Sequence, residues 1–344
     1  MRKSDNLPPL NAEPLPNQKK DMTNRRNFLK YAGAFSLGGL LLPACSTQDS
    51  TQETGAGEGG QGAATGQAGQ TGSASGNLGP IGLQLYSVKE QIEEDLRGTL
   101  QQLADIGYKE VESYPGQKGH YFGMEAKEFS SMLSDMGMTL VSSHFGSGTP
   151  GGQAASWRQA TMHQRFEELA GKAAEAGQAY LTCSSLNEQL RKTPDDLKRT
   201  ADLFNRTGEI CRKNGLQFAY HNHAFEFERV GDVVMYDYLL ENTDTNLVKF
   251  EMDMFWLVAG GHDPIAYFNK YPNRFPLGHV KDMHKDDRTK NAEIGTGSID
   301  YTSILNEAQD VGMDHFFVEQ ENNFSPTPME SMRKNYNHLA SLTV

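Results

Sequence analysis

The feature that most limits how this chain can fold is an alternation repeated along residues 80–344: a short apolar run, then a longer amphipathic one. The short runs are Ile81–Ser87, Tyr108–Glu112, Thr139–His144, Ala179–Cys183, Gln217–His221, Val248–Asp253, Leu277–Lys281 and Phe316–Glu319. Near-continuous apolar runs of this length suit parallel strands buried on both faces. Between them, Leu96–Ile106, Met162–Ala176, Asp195–Asn214 and Ser303–Val311 carry apolar residues three or four apart, the helical period. Gly107, Gly137, Gly215 and Gly312 stand where helices should end before the next strand, as a left-handed cap requires. Eight strands alternating with helices predict a single α/β domain, a parallel (β/α)8 TIM barrel, whose usual length is about 250 residues. A doubly wound open sheet is the runner-up, but no Gly-x-Gly-x-x-Gly follows the first strand.

The first eighty residues have another character. Asn24-Arg25-Arg26-Asn27-Phe28-Leu29-Lys30 is basic, Tyr31–Leu42 is a short apolar run, and Leu42-Pro43-Ala44-Cys45 ends it on small residues. This is a secretory pattern, with an apolar run too short to span a bilayer comfortably. Its paired arginines resemble a twin-arginine export signal and its end resembles a lipoprotein box with Cys45 as the lipidated residue. Met22 is a candidate start for that signal. Residues 46–79 are Gly, Gln, Ala, Ser and Thr with almost no apolar side chain, a composition expected to form a flexible tether. The expected organisation is therefore a signal region over 1–45, a linker over 46–79 and the barrel over 80–344. The expected location is periplasmic or membrane-anchored, held by lipid on Cys45.

In a (β/α)8 barrel the reactive groups sit at the carboxyl ends of the strands. Those ends carry Gln84 and Tyr86, Glu112, His144, His221 and His223 with Glu226, Glu251 and Asp253, His279 with Lys281, then Glu319 and Glu321. Imidazole mixed with carboxylate suits a borderline divalent ion, Mn²⁺, Co²⁺, Zn²⁺ or Fe²⁺. With 44 acidic against 32 basic side chains the net charge is -12, which argues against a nucleic-acid partner. Three cysteines cannot build a disulfide framework, so a buried core has to stabilise the fold.

Several stretches resemble a known family: Gly82-Leu83-Gln84-Leu85-Tyr86-Ser87, Gly107-Tyr108-Lys109-Glu110-Val111-Glu112, His221-Asn222-His223-Ala224-Phe225-Glu226-Phe227, Glu251-Met252-Asp253 and His279-Val280-Lys281-Asp282. Together they are similar to the sugar phosphate isomerase/epimerase group of xylose-isomerase-like barrels, over nearly all of 80–344. The resemblance implies a divalent ion held by an acidic group after strand five, Asp253 after strand six, His279 after strand seven and Glu319 after strand eight. At the first position many relatives carry Glu-Asn-His where this chain has His221-Asn222-His223. Either His221 takes that place or Glu226 reaches back from the loop, with Glu226 preferred.

The chemistry expected of such a site is isomerisation, epimerisation or loss of a leaving group from a sugar or keto-sugar, through an enediolate. His223, Lys281 and Glu319 are the candidate proton-transfer and oxyanion groups. Gln84, Tyr86, Glu112, His144 and Trp256 are the candidate substrate contacts. The resemblance sets two glutamates on opposite faces of a ketose epimerase substrate; His221 in one of those places favours one-sided isomerase or lyase chemistry. Export favours an unphosphorylated sugar or glycoside. A tethered sugar-binding protein without turnover is the alternative, and a DNA-repair type phosphodiesterase barrel is disfavoured by the acidic charge. Gly295-Thr296-Gly297-Ser298 reads as a turn into a helix capped by Asp300 rather than a phosphate loop. The address region yields one direct test: Cys45→Ser should move the protein from the membrane pellet to the soluble fraction, and unchanged pelleting would refute lipid anchoring.

Overall fold

The computed structural model describes residues 78–343. Arg25, Arg26, Cys45 and the linker up to residue 77 lie outside the described residues. Leu78 is already buried in the core, two residues ahead of the expected barrel boundary at 80.

Eight strands form the barrel: β1 (Ile81–Gln84), β2 (Glu110–Ser113), β3 (Thr139–Phe145), β4 (Tyr180–Cys183), β5 (Gln217–His221), β6 (Val248–Asp253), β7 (Leu277–Val280) and β8 (His315–Val318). Each pairs in parallel with its neighbours in sequence, and β1 closes on β8 with Ile81 opposite Phe316. The expected (β/α)8 TIM barrel is therefore the observed fold. The first expected strand is cut short at Gln84, whose side chain accepts a hydrogen bond from Tyr86 N (3.1 Å) and turns the chain into a 3-10 turn over Leu85–Val88. Tyr86 therefore rides on that turn and not on the strand.

The outer layer is built by α1 (Leu96–Ile106), α2 (Ala126–Asp135), α3 (Phe166–Glu175), α4 (Pro194–Lys213), α5 (Met235–Glu241), α6 (Pro264–Lys270), α7 (Tyr301–Asp310) and α8 (Pro328–Ser341). Helix α4 begins with Pro194 and a reciprocal capping box between Thr193 and Asp196, so two free backbone donors are satisfied at once. Asp300 caps α7 by accepting from Ser303 N, as the sequence predicts. Helix α3 starts at Phe166 and not at Met162, because Arg165 sits at φ +54° and halts helical backbone there. Gly107, after α1, has φ +130°, and a Cβ there would lie 2.3 Å from the Tyr336 ring.

The barrel interior is layered by the two-residue period of its strands. Ala219 of β5, Leu277 of β7 and Phe317 of β8 pack with Val141 into an apolar floor. Two residues further along the same strands the inward positions become His221, His279 and Glu319, all buried. The polar groups of the barrel thus begin above an apolar floor. Cys183 and Cys211 are buried free thiols.

Another buried imidazole lies away from that layer, in the loop after β2. His120 is 1 % exposed, with Nε2 3.2 Å from the Ala160 carbonyl, and burial pushes it from its ordinary 6.5 down to about 4 despite that bond. It is neutral when folded, so below pH 6.5 the unfolded chain takes up the proton first and stability falls as pH drops towards 4. The expected loss between pH 7 and pH 5 is about 2 kcal/mol from this group. His120→Gln should flatten that slope in thermal melts, and equal losses in both proteins would refute it.

Candidate active site

His221 ends β5, Asp253 ends β6, His279 lies on β7 and Glu319 follows β8. One donor atom from each lies within 4.8 Å of all the others, and all four residues are buried. His279 Nδ1 is 3.1 Å from Glu319 Oε2 and 3.9 Å from Asp253 Oδ2, while His221 Nε2 is 3.8 Å from that same oxygen. Asp253 is held in place twice. Its Oδ1 caps the helix Met254–Ala259 through Trp256 N (2.9 Å), and its backbone is clamped by Asn222, which accepts from Asp253 N and donates to Asp253 O, each at 3.1 Å. The middle residue of His221-Asn222-His223 thus locks β5 to β6 while its neighbours face the site.

Beneath this set lies a second polar layer. Glu112 Oε1 meets His279 Nε2 at 2.7 Å, His144 Nε2 at 3.0 Å and Gln84 Nε2 at 2.8 Å. Glu251 Oε2 meets His144 Nε2 at 2.8 Å, His221 Nδ1 at 3.0 Å and His279 Nε2 at 3.2 Å. His221 and His279 therefore each turn one nitrogen down to the inner carboxylates and the other up to the outer donors. Burial opposes ionisation throughout, but the charges override it at several groups. Glu112 and Glu251 push His144 up to about 10, and Lys281 with His279 holds the Glu319 carboxyl well below its usual range. Burial wins at Asp253, which is raised, and at His221, which is lowered with His279 adding to the effect.

Lys281 stands at the rim of the outer set. Its Nζ lies 3.1 Å from Asp253 Oδ2, 2.8 Å from Glu319 Oε2 and 2.7 Å from Glu321 Oε1. Although Lys281 is close, Asp253 Oδ2 makes no hydrogen bond. A cavity of about 290 Å³ is lined by His144, His221, His223, Glu319 and Glu321 together with Tyr86, Tyr114, Ser184 and Ser185. His223 is half-buried, stacked on Phe225 (5.7 Å between centroids, 9°) and close to Trp256. Burial, then the Lys281 ammonium, push it down to about 3, and its Nδ1 has no partner.

Some expected roles need correction. Glu226 does not join the donor set, because the Phe225–Phe227 turn draws it off the strand. Its Oε1 accepts from the Tyr220 hydroxyl and its Oε2 from His223 N (2.8 Å), so it fastens the loop, and burial raises it to about 7. A His221 donor atom lies with those of Asp253, His279 and Glu319 instead. Gln84 and Glu112 are fully buried and paired with each other below His279, so they support the imidazole and do not face the cavity. Trp256 packs on His223 and Lys281 behind the cavity wall. Tyr86 and His144 do line the cavity. Glu251 was legible as the residue two before Asp253, on the same inward face. Tyr114, Ser184 and Ser185 lie past strand ends in loops, where no spacing marks them.

The donor chemistry fits a divalent ion: two imidazole nitrogens and two carboxylates, all buried, one oxygen without a hydrogen bond. Comparison with known proteins agrees with the architecture. The sequence profile described as xylose isomerase-like TIM barrel matches residues 100–342, and the chain belongs to that family. A sugar phosphate isomerase/epimerase from Parabacteroides distasonis is 30 % identical in sequence, with a TM-score of 0.63 over 79 % of this chain and 96 % of that one. An inosose dehydratase from Lacticaseibacillus casei is 29 % identical over 157 residues, covering 41 % of this chain and 52 % of that protein. The chain thus spans about half the length of that curated relative. The 3-keto-D-glucoside 4-epimerase of E. coli, 13 % identical at TM-score 0.57 over 75 % of this chain and 98 % of that one, shares the fold.

Proposed function

We propose that the barrel is a divalent-metal-dependent enzyme that isomerises, epimerises or eliminates a leaving group from a sugar or keto-sugar derivative by way of an enediolate. The observation that carries this reading is the convergence of His221, Asp253, His279 and Glu319 donor atoms within 4.8 Å of one another, with His221 and Glu319 lining a cavity. These four would hold the ion, which when bound would polarise a carbonyl and lower the cost of the developing negative charge. The relatives named for sugar isomerisation, epimerisation and dehydration support the substrate class.

The chain's own residues then have distinct tasks. His223, which lines the cavity, is the group placed to take the proton from the carbon next to the carbonyl, and its lowered basicity demands a carbon already made acidic. Lys281 Nζ, fixed by three carboxylate contacts, offsets charge on a substrate oxygen. Glu319 faces the same cavity and limits where the reacting carbon can sit. Glu112 and Glu251 fix the ring orientation of His279, as carboxylate partners of metal-binding histidines do. With His221 in the first position, the lining holds no second inward glutamate opposite Glu319; Glu321 lies on the same strand end and is engaged by Lys281. That favours one-sided isomerase or lyase chemistry over two-glutamate epimerisation. Arg25-Arg26 and Cys45 extend the proposal to an exported, membrane-tethered enzyme acting on unphosphorylated sugars.

Metal analysis of the purified protein tests this. The native protein and Glu226→Gln should each carry a divalent ion, and Asp253→Ala or His221→Ala should bind it at least about 100-fold more weakly, beyond what an outer partner contributes. Chelator should abolish turnover across a panel of free sugars, 3-keto sugars and glycosides. Turnover that survives chelation would overturn the mechanism, and a native protein free of divalent ion would favour sugar binding without catalysis.

A further inference from the structure

A base has to be aimed, and a working histidine is normally aimed by a hydrogen bond to its second nitrogen. His223 lacks that anchor, because its Nδ1 is buried without a partner. Its backbone is fastened, with His223 N donating to Glu226 Oε2 at 2.8 Å, but a backbone bond does not fix the direction of a ring. The imidazole is held by aromatic neighbours instead. Phe225 lies nearly parallel to it, 5.7 Å between centroids at 9°, and Trp256 lies at 5.7 Å and 37°.

Phe225 opens the turn after β5 and is itself only half-buried, so packing alone does not confine its ring. A cation does. The Arg191 guanidinium covers the Phe225 ring with its carbon 3.8 Å from the centroid. Arg191 stands in the loop after β4, just past the turn Glu188–Leu190, and its Nε donates to Leu186 O at 3.4 Å. Segments that follow three successive strands thus meet around one imidazole: Arg191 after β4, Phe225 and His223 after β5, and Trp256 after β6.

We propose that Arg191 is a positioning residue for the reaction: it fixes Phe225, and Phe225 fixes the ring of His223 in the cavity. This rests on the reading of His223 as the base and extends it to a residue that does not touch the substrate. A guanidinium suits the task, being flat, weakly hydrated and attracted to the negative face of an aromatic ring. The consequence for rate follows from geometry, since a misplacement of about 1 Å can cost about 100-fold. Arg191 has a rival task, charge balance. Burial raises the Glu226 carboxyl, and the Arg191 charge is among the influences that pull it back. Double-mutant cycles separate the two tasks.

Steady-state kinetics of the metal-loaded full-length protein, on any sugar of the panel that it turns over, supply the first test. Arg191→Ala should lower kcat about fivefold, the worth of a partly exposed cation–π contact, with KM and bound divalent ion unchanged. In a Phe225→Leu background the same change should do nothing further, because the ring that relays it is gone. In a Glu226→Gln background the fivefold loss should remain. An unchanged kcat, a rise in KM in its place, a loss that survives Phe225→Leu or one that vanishes with Glu226→Gln overturns the proposal. Crystal structures of the native protein and Arg191→Ala supply a second test that needs no turnover and no other variant. The His223 ring should lie parallel to Phe225 in the native protein and be turned away, or split between conformers, in Arg191→Ala. The same ring placement in both overturns the positioning role and leaves the base assignment standing. Failure of every sugar to turn over, with the ring displaced in Arg191→Ala, overturns the enzyme reading and leaves Arg191 as the residue that sets His223.

Discussion

The structure of the site depends on two imidazoles that each face two ways. A cluster containing Glu112, Glu251, Asp253 and Glu319 cannot be buried without compensation, since desolvating an unpaired carboxylate costs several kcal/mol. His279 meets Glu112 and Glu251 with one nitrogen and Glu319 with the other; His221 meets Glu251 with Nδ1 and turns Nε2 towards Asp253. Only a ring with two opposed nitrogens can stitch two carboxylate layers in this way. The strands make it possible, because residues two apart share a face and neighbouring strands are closed into a cylinder. His144 from β3 completes the inner layer by spanning Glu112 and Glu251.

Much of this was legible in the chain. The alternation of short apolar and long amphipathic runs implied the barrel, and strand ends implied where polar groups would meet. Asp253, His279 and Glu319 fall out of that reasoning because each sits at or beside a strand end with an inward-facing residue two before it. What escaped is what depends on depth and on loops. Gln84 and Glu112 look like any strand-end polar residues, yet they belong to the inner layer, paired with each other under His279. A register shift between Val111 and Glu112 against β3 changes which residues share a level, and no residue pattern announces it.

Glu226 illustrates the second limit. Its distance from His221 along the chain allows a return to the site, and the outcome turns on Tyr220, a residue on the opposite face of β5. A phenol pointing out of the barrel gives the carboxyl a partner in the outer layer, and the His223 amide gives it another. Once both oxygens are satisfied, coming inward would leave two buried donors unpaired. Competition between loop closure and ligation is a tertiary matter, invisible in spacing.

Placing an imidazole where relatives are expected to carry a carboxylate changes the charge as well as the geometry. The outer donors then bring two carboxylates in place of three, so a divalent ion would leave them close to neutral, with Lys281 balanced by Glu321 at the rim. A more neutral centre attracts electron density from a substrate carbonyl more strongly, because less ligand charge competes for the cation. It also has fewer anionic oxygens with which to remove a proton from a second face. On the proposed reading, the same replacement therefore strengthens the electrophilic part of the reaction and confines proton removal to the side of His223.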